Sequence, residues 1–299
     1  MPAPSASPDR QTVEVDGRRV VLTHLDKVVF PVTGHTKAQL LRYYASIAPV
    51  LVPHAAGRLA SFVRAPEGPH AQRWFAKRPP SGTPDWVTTA GEADEPHIVV
   101  DSTPALVSMA NLGAWEVHVP QWTVAGGRDA HDRLVLDLDP GEGAGLVLCC
   151  RVAERLRQMM EDDGLTAFPV TSGSKGLHLY APLRPATEAA ATGYAKALAA
   201  RMRDEHPGLV VFSMTRSLRA GKIFIDWSQN ASAKTTACPY TLRLRDRPGV
   251  ATPVTWDEVA SCRAAEDLVF TPEEVLRRAA DHGDLLAALD DAAGRGTLP

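Results

Sequence analysis

Cysteine is scarce in this sequence, and its placement excludes two common means of stabilising a chain. The four cysteines include one adjacent pair, and no C-x-x-C pair or histidine at zinc-ligand spacing accompanies them. They are Cys149, Cys150, Cys238 and Cys262. A disulfide framework and a structural zinc site are therefore excluded, and we expect four buried, small apolar side chains.

Long hydrophobic runs are missing as well. A helix that crosses a bilayer needs about 18 or more successive apolar residues, and the sequence has no such run. Its start, MPAPSASPDR, has neither the basic nor the apolar segment of a secretion signal. We therefore expect a cytoplasmic protein. Residues 1–9 are rich in Pro, Ala and Ser, and this composition predicts a disordered tail.

An excess of positive charge is also absent, because the formal net charge is −3. The charges are unevenly distributed, however. Residues 1–80 carry eleven Lys and Arg against five Asp and Glu, and residues 201–250 carry nine against four, whereas the segments 81–200 and 251–299 are acidic. Local basic patches attract phosphates even when the whole chain is acidic. This distribution leaves two interpretations open: a shared basic surface, or solvated faces that differ by chance.

The hydrophobic periodicity predicts a mixed α and β protein. A hairpin is expected around Asp16-Gly17, a helix capped by Thr36 and ending near Pro53, and further helices over 145–163 and 188–205. The helix over 145–163 is expected to cross between two strands of one sheet. Residues 65–84 are too irregular for a core element, and loops of that length tend to be functional. No linker divides the chain, so residues 10–299 are expected to form one domain.

Paired acids mark the predicted strand in RLVLDLDPGEG. Asp137 and Asp139 stand at i and i+2 and therefore share one face, while leucines occupy the other. Asp226 has the same alternating context in KIFIDWS, far along the chain. On neighbouring strands, the three acids would form a two-metal site for phosphoryl transfer, since carboxylates are preferred ligands of magnesium and manganese. A DPG turn on the surface is the alternative.

Two further clusters combine groups that bind phosphates or bases. In TSGSKGLHLY, a Gly/Ser turn with Lys175 and the strand residue His178 would hold a triphosphate, although ordinary polar hairpins have this composition too. In RAPEGPHAQRWFAKRPP, basic residues flank the adjacent aromatics Trp74 and Phe75. That composition is typical of loops that bind single-stranded or frayed nucleic acid, and equally of a loop anchored by two buried rings.

Taken together, these segments resemble the archaeo-eukaryotic primase superfamily, specifically the polymerase domain of bacterial end-joining ligase D and its stand-alone relatives. The resemblance extends over roughly residues 20 to 290. The matching strings follow the order of the family: HLDKVVFPVTGHTK, RAPEG with WFAK, MANLGAWEVHVPQW, RLVLDLDPG, TSGSKGLHLY and IFIDWSQNASAKTTACPYTLR. The fold implied is an α+β primase-polymerase fold, whose β-sheets form a central catalytic cleft flanked by helices.

The resemblance assigns roles to individual residues. The family's metal-binding and catalytic acids correspond to Asp137, Asp139 and Asp226. Its nucleotide-binding residues correspond to Ser172, Lys175, His178, His118, Arg219 and Arg243. Its DNA-binding residues correspond to Lys27 and Lys37, which would grip a 5′-phosphate, together with Arg64, Trp74, Phe75 and Lys77. The family usually has Phe at both aromatic positions, so Trp74 would change the angle at which the template stacks.

The function that this resemblance implies is template-dependent nucleotidyl transfer. A polymerase would extend a primer at gaps or double-strand ends with ribonucleoside or deoxyribonucleoside triphosphates, using two Mn²⁺ or Mg²⁺ ions. Ku and a DNA ligase would be its partners at the nucleoid, because the sequence has neither a nucleotidyl-lysine motif nor room for a phosphoesterase. Two alternatives remain: a non-catalytic module that binds DNA ends, and a metal-dependent nuclease.

Overall fold

The computed structural model of the protein describes residues 9–299. The predicted disordered tail, residues 1–9, lies outside the described residues apart from residue 9. The helices are α1 (Lys37–Ala55), α2 (Thr103–Asn111), α3 (Leu146–Asp162), α4 (Glu188–Glu205), α5 (Trp256–Ser261) and α6 (Pro272–His282). The strands are β1 (Arg10–Val15), β2 (Arg18–Thr23), β3 (Val28–Phe30), β4 (His35–Thr36), β5 (Ser61–Arg64), β6 (Trp74–Ala76), β7 (Thr89–Glu92), β8 (Glu95–Ile98), β9 (Ala114–Val119), β10 (His131–Pro140), β11 (Phe168–Thr171), β12 (Leu177–Ala186), β13 (Val210–Val211), β14 (Ile223–Asp226), β15 (Thr236–Ala237), β16 (Leu242–Leu244) and β17 (Pro248–Val250).

The sheet that contains β10 has five strands in the order β11-β12-β10-β14-β13. Leu134, Leu136 and Leu138 on β10 are fully buried and belong to a core to which α3 and α4 also contribute. The two acids of β10 therefore lie on the opposite face of the sheet, as the alternation predicts. Both β10 and β11 run antiparallel to β12, which lies between them. Helix α3 connects β10 to β11, so the predicted crossover is confirmed.

The second large sheet has four strands in the order β15-β9-β5-β6. Helices α1 and α2 share a hydrophobic core with it, in which Phe62 of β5 and Val117 of β9 are fully buried. The hydroxyl of Tyr44 in α1 donates a hydrogen bond to the carbonyl of Trp115 and fixes the helix to β9. This sheet therefore has one covered face and one face that is free to line a cleft.

Strand β6 lies in the segment 65–84, for which the sequence predicted no core element. It pairs antiparallel with β5 at the edge of the four-stranded sheet. Trp74 and Phe75 are 40% and 48% exposed. Edge strands bury little side-chain surface, and the hydrophobic alternation that marks a central strand is therefore absent here.

The helices begin and end close to their predicted positions. Thr36 caps α1 in a capping box with Gln39, and α4 spans the predicted residues 188–205. Helix α1 continues two residues beyond Pro53, because the N–H of Ala56 still donates to the carbonyl of Val52 at 2.7 Å. No helix within residues 9–299 has both the length and the apolar character needed to cross a membrane.

One glycine determines how closely the TSGSKG turn approaches β10. Gly176 exchanges hydrogen bonds with Ser172, and a Cβ atom at Gly176 would overlap the carbonyl oxygen of Leu138. The exposed Gly193 of α4 is its natural control, because a Cβ atom there would meet nothing within 4 Å.

We predict that Gly176→Ala lowers the free energy of unfolding by about 1–3 kcal/mol or more, because the backbone of β10 cannot yield without moving the sheet. Gly193→Ala should raise it by roughly 0.5–1 kcal/mol, as alanine favours a helix. Chemical denaturation of both variants measures the difference. Equal stabilities of the two variants would contradict the close approach.

Candidate active site

Three ionisable side chains form a row across the five-stranded sheet. Asp137 of β10 lies directly opposite His178 of β12 on one side and Asp226 of β14 on the other. Asp139, two residues further along β10, shares the face of Asp137 and lies opposite Phe224. The structure therefore brings together the three predicted acids, which are up to 89 positions apart in the sequence.

This row is electrostatically unfavourable by itself. Burial raises the pKa of Asp137 well above its usual value, and the charges of Asp139 and Asp226 raise it further. Burial and Asp226 also raise the pKa of Asp139, although nearby arginines oppose the shift. Burial lowers the pKa of His178 to about 3, with Arg243 and His118 adding to the effect, so its ring is neutral. The Nε2 of that ring lies 3.5 Å from Oδ1 of Asp137. A neutral histidine leaves the acids without a balancing charge from their own sheet.

Asp226 is held by the turn that follows it. Its Oδ1 accepts hydrogen bonds from the N–H of Ser228 at 3.0 Å and from the Ser228 hydroxyl at 2.6 Å. Its Oδ2 accepts a hydrogen bond from Nε2 of Gln229 at 2.9 Å. These contacts fix the carboxylate next to the row and engage both of its oxygens.

The donor set of the row fits a divalent cation of the magnesium or manganese type, since hard cations prefer carboxylate oxygens and relieve repulsion between neighbouring acids. Asp137 and Asp139 share one face for such an ion. Within residues 9–299, however, no three His, Cys, Asp or Glu side chains lie close enough together to hold a metal ion in their present rotamers. Among the three acids, Asp226 is the one whose carboxylate already accepts hydrogen bonds on both oxygens, from Ser228 and Gln229.

A cavity of about 160 Å³ opens above the acids. Both large sheets contribute to its walls. It is lined by His118, Asp137, Asp139, Ser172, Ser174, His178, Gln229, Thr235, Thr236, Ala237, Arg243 and Arg245. Pockets for small molecules usually measure roughly 300–1,000 Å³, so a nucleotide-sized ligand would extend beyond the opening of this cavity. We call this space the acidic cavity.

The predicted nucleotide-binding residues do not all face the acidic cavity. Ser172, His178, His118 and Arg243 line it. The exposed Lys175 lines a neighbouring cavity of about 530 Å³ together with the loop over 140–145. The structure thus separates the lysine of the TSGSKG turn from the serine and histidine of the same motif.

Arg219 approaches the acids from outside the acidic cavity. Its guanidinium lies over the ring of Phe224, 3.5 Å from the ring centroid, and Nη2 donates to the carbonyl of Met214 at 3.1 Å. Because Phe224 is the cross-strand partner of Asp139, this stacking brings a positive charge to the end of the row. Arg219 therefore contributes charge near Asp139 without lining the cavity.

The predicted lysines lie in a separate pocket of about 300 Å³. Its basic side chains are Lys27, Lys37, Arg64 and His24. We call it the basic pocket. Lys37 is buried, and burial and the neighbouring Lys27 lower its pKa to about 8. Lys27 forms an ion pair with the exposed Glu67, which lines the same pocket. The clustering of cations in a partly buried pocket is typical of an anion-binding site.

Trp74 and Phe75 point to opposite faces of β6, as successive residues of a strand do. Trp74 lies opposite Arg64 in the register, and the guanidinium is 5.2 Å from the centroid of its ring. Phe75 instead contacts His118 edge-on, with the ring centroids 5.6 Å apart. Trp74 thus contacts a side chain of the basic pocket, and Phe75 contacts a side chain of the acidic cavity. Lys77, the third predicted residue of this segment, is exposed.

The sequence analysis missed several residues in and next to the acidic cavity. In the acidic cavity these include Gln229, Thr235 and Arg245, and just behind its wall lies Glu116. Arg245 follows Arg243 at i+2 in TLRLRDR, a spacing that predicts a shared face. Glu116 precedes His118 at the same spacing. Gln229 and Thr235 belong to irregular segments, where no periodicity predicts their direction.

Comparisons with known proteins identify the family of this chain. A family model described as the LigD primase-polymerase domain matches residues 36–286. The chain belongs to the LigD primase-polymerase family. The multifunctional non-homologous end joining protein LigD of Mycolicibacterium smegmatis is 45% identical over 278 residues, which cover 91% of this chain and 36% of the relative. The bifunctional LigD of Bacillus subtilis is 30% identical over 267 residues, 89% of this chain and 43% of the relative. The chain thus spans well under half the length of the curated relatives that it matches.

A solved structure shows the same fold. The polymerase domain of Mycobacterium tuberculosis ligase D, determined in complex with DNA, superposes with a TM-score of 0.84 at 44% identity. The match covers 91% of this chain and 98% of that domain. The predicted family and the archaeo-eukaryotic primase fold are therefore confirmed, and this LigD-family chain is a nucleotidyltransferase of the primase-polymerase type. The roles of individual residues stay predictions.

Proposed function

We propose that this LigD-family chain is a template-dependent polymerase that extends the 3′-hydroxyl of a primer at short gaps or double-strand ends. The observation that carries the proposal is the row of Asp137, Asp226 and His178, with Asp139 beside it. It borders a cavity that Asp137, Asp139 and His178 line together with Arg243 and Arg245. Carboxylates facing arginines are the groups that nucleotidyl transfer requires at the reacting phosphate.

Two findings about relatives support the biological setting. The curated relatives are named as non-homologous end joining proteins, and the solved domain was determined in complex with DNA. We infer that this chain acts in end joining or gap filling, in the cytoplasm at the nucleoid, with Ku and a DNA ligase as partners. Residues 10–299 would form its single catalytic domain.

The acids and the arginines of the acidic cavity would have different roles in catalysis. Two bound divalent ions, Mn²⁺ or Mg²⁺, would activate the primer hydroxyl and neutralise the developing charge. Asp137, Asp139 and Asp226 would hold these ions. Arg243 and Arg245, which line the same cavity, would bind the phosphates of the incoming ribonucleotide or deoxyribonucleotide, together with Ser172 and His178. Catalysis then rests on positioning and on charge neutralisation.

The basic pocket would hold the 5′-phosphate on the far side of a gap. Lys27, Lys37 and Arg64 supply the positive charge, and Glu67 would be displaced from Lys27 by the phosphate. Strand β6 lies between the two sites, with Trp74 beside the pocket and Phe75 beside His118. Template bases that stack on these rings would therefore pass from one site to the other.

We predict that Asp137→Ala abolishes primer extension on a 5′-phosphorylated gapped duplex and leaves binding of that duplex intact. The reason is that Asp137 would act in nucleotidyl transfer, whereas the basic pocket would bind the 5′-phosphate of the DNA. Gel assays with each nucleotide type and each metal measure extension and binding separately. The control is Asp162→Ala, since Asp162 lies at the far end of α3, about 25 Å along the helix from its start near the cavity.

Extension by pure Asp137→Ala protein at the wild-type rate would contradict the proposal. End binding that depends on Lys27 and Lys37, without incorporation by the wild type under either metal, would favour the non-catalytic end-binding module instead. Degradation of labelled DNA without added nucleotide would favour the metal-dependent nuclease.

The basic pocket should lose its preference for a 5′-phosphate as the pH rises. The Lys37 ammonium, with a pKa of about 8, is mostly charged at pH 7 and mostly neutral at pH 9. The phosphate monoester is fully ionised above its second pKa of about 6, so it does not titrate in this range. We expect the ratio of the dissociation constants for 5′-hydroxyl and 5′-phosphate duplexes to fall about fivefold or more between pH 7 and pH 9.

Lys37→Arg is the matched control, because an arginine stays charged throughout this range. Fluorescence anisotropy with both duplexes measures the ratio at each pH. The same fall in the Lys37→Arg protein would exclude Lys37 as its origin.

A further inference from the structure

Glu116 is a buried acid that the proposed mechanism does not use. It lies on β9 and is only 5% exposed. Its Oε1 accepts a hydrogen bond from the backbone N–H of Leu244 at 2.8 Å. Its Oε2 accepts a hydrogen bond from Nε2 of His118 at 2.9 Å and lies 3.1 Å from Nε of Arg243. Both side chains that it contacts line the acidic cavity.

The environment of Glu116 keeps it ionised. Burial alone would raise its pKa, but the hydrogen bond from His118, the charge of Arg243 and the N–H of Leu244 outweigh that effect and lower the pKa to about 2. A buried charge is costly, and well-packed apolar residues can stabilise a fold as well or better. A carboxylate at this position is therefore better explained by what it holds than by the stability of the fold.

The contact with Glu116 determines which group His118 presents. An ionised carboxylate only accepts hydrogen bonds, so Nε2 carries the proton of the ring. Burial lowers the pKa of His118, which keeps the ring neutral. Nδ1 is then a hydrogen-bond acceptor, and the edge contact with Phe75 limits rotation of the ring.

The contact also determines the direction of Arg243. Its Nε faces Glu116, and within residues 9–299 its guanidinium forms no hydrogen bond. The two Nη groups are thus available for an anion in the acidic cavity. Without Glu116, the other carboxylates that face this cavity, those of Asp137 and Asp139, would attract the guanidinium. Glu116 therefore opposes collapse of Arg243 onto the catalytic acids.

We propose that Glu116 is a positioning residue for the incoming nucleoside triphosphate, which it serves by holding Arg243 and His118 in place at the wall of the acidic cavity. The inference rests on the proposed function, because it takes the triphosphate as the ligand of that cavity. Glu116 itself contacts neither substrate nor reacting atoms.

The test is the nucleotide affinity of Glu116→Gln. The amide keeps the shape and an acceptor for Leu244, but it turns a donor toward His118 and Arg243. Calorimetry with the α,β-methylene analogue of ATP and Mn²⁺ measures binding without turnover. We expect the dissociation constant to rise about tenfold or more, because charge-assisted contacts depend on direction. The KM for nucleotide should rise similarly, with kcat changed less than about threefold.

A double-mutant cycle separates positioning from a structural effect. In an Arg243→Gln background, the further change Glu116→Gln should raise the dissociation constant much less than it does in the wild type. The control is Asp284→Asn, which alters a half-buried carboxylate that also has three hydrogen-bond donors, Nε2 of His54, the Tyr240 hydroxyl and the N–H of Leu286. The Asp284→Asn substitution should lower the free energy of unfolding without changing the affinity for the nucleotide analogue.

Unchanged nucleotide affinity of Glu116→Gln, or an equal loss in the Arg243→Gln background, would overturn the inference. Should Glu116→Gln fail to fold, Glu116→Asp, which is one methylene shorter, is measured in the same way with the same two outcomes. Wild-type protein that binds the analogue but does not extend primers would refute the proposed function alone. Wild-type protein that does not bind the analogue would refute both.

Discussion

The arrangement of this molecule depends on one unfavourable contact, the pairing of Asp137 with Asp226 on neighbouring strands. Like charges directly opposite each other destabilise a sheet, and burial makes the repulsion stronger. Much of the surrounding structure can be understood as a response to it. The leucines of β10 fix the acids on one face, and the turn after β14 holds Asp226 with three hydrogen bonds.

The positive charge that the five-stranded sheet lacks comes from segments outside both large sheets, the β16–β17 hairpin and the turn before β14. His178 lies next to Asp137 but is neutral, so the balancing cations are arginines: Arg243 and Arg245 in the lining of the cavity, and Arg219 at the end of the row. Glu116 in turn holds Arg243 and so keeps its guanidinium from pairing with Asp137 and Asp139. The result is a cavity lined by both negative and positive groups, which suits a ligand that carries both cations and phosphates.

The sequence predicted the parts of this arrangement that follow from local patterns. Alternation placed Asp137 and Asp139 on one face of β10, and Thr36 marked the start of α1. That Asp226 lies opposite Asp137 depends on strand pairing over long range, which only the resemblance to a family implied. The order of the strands and the direction of Lys175 could not be predicted, because both depend on how distant segments pack.

Two other outcomes follow from strand geometry that the sequence left undefined. Trp74 and Phe75 looked like one stacking surface until β6 was known to be a strand, since only a strand places successive residues on opposite faces. Glu116 looked like an ordinary acid within WEVHV, and its role depends on Arg243, 127 positions away. Edge strands and buried polar contacts of this kind leave little trace in hydrophobic periodicity.

The central claim is that the paired acids destabilise the fold until cations bind them, and thermal unfolding tests it most directly. Wild-type and Asp137→Asn proteins are compared with a chelator and with Mn²⁺. A raised pKa in the folded state means that the ionised acid costs stability at neutral pH, so metal-free Asp137→Asn should melt at least ~2 °C above the wild type. With Mn²⁺ the order should reverse, because binding to the folded state stabilises it. A wild type that melts higher without metal, or that does not respond to Mn²⁺, would contradict the account.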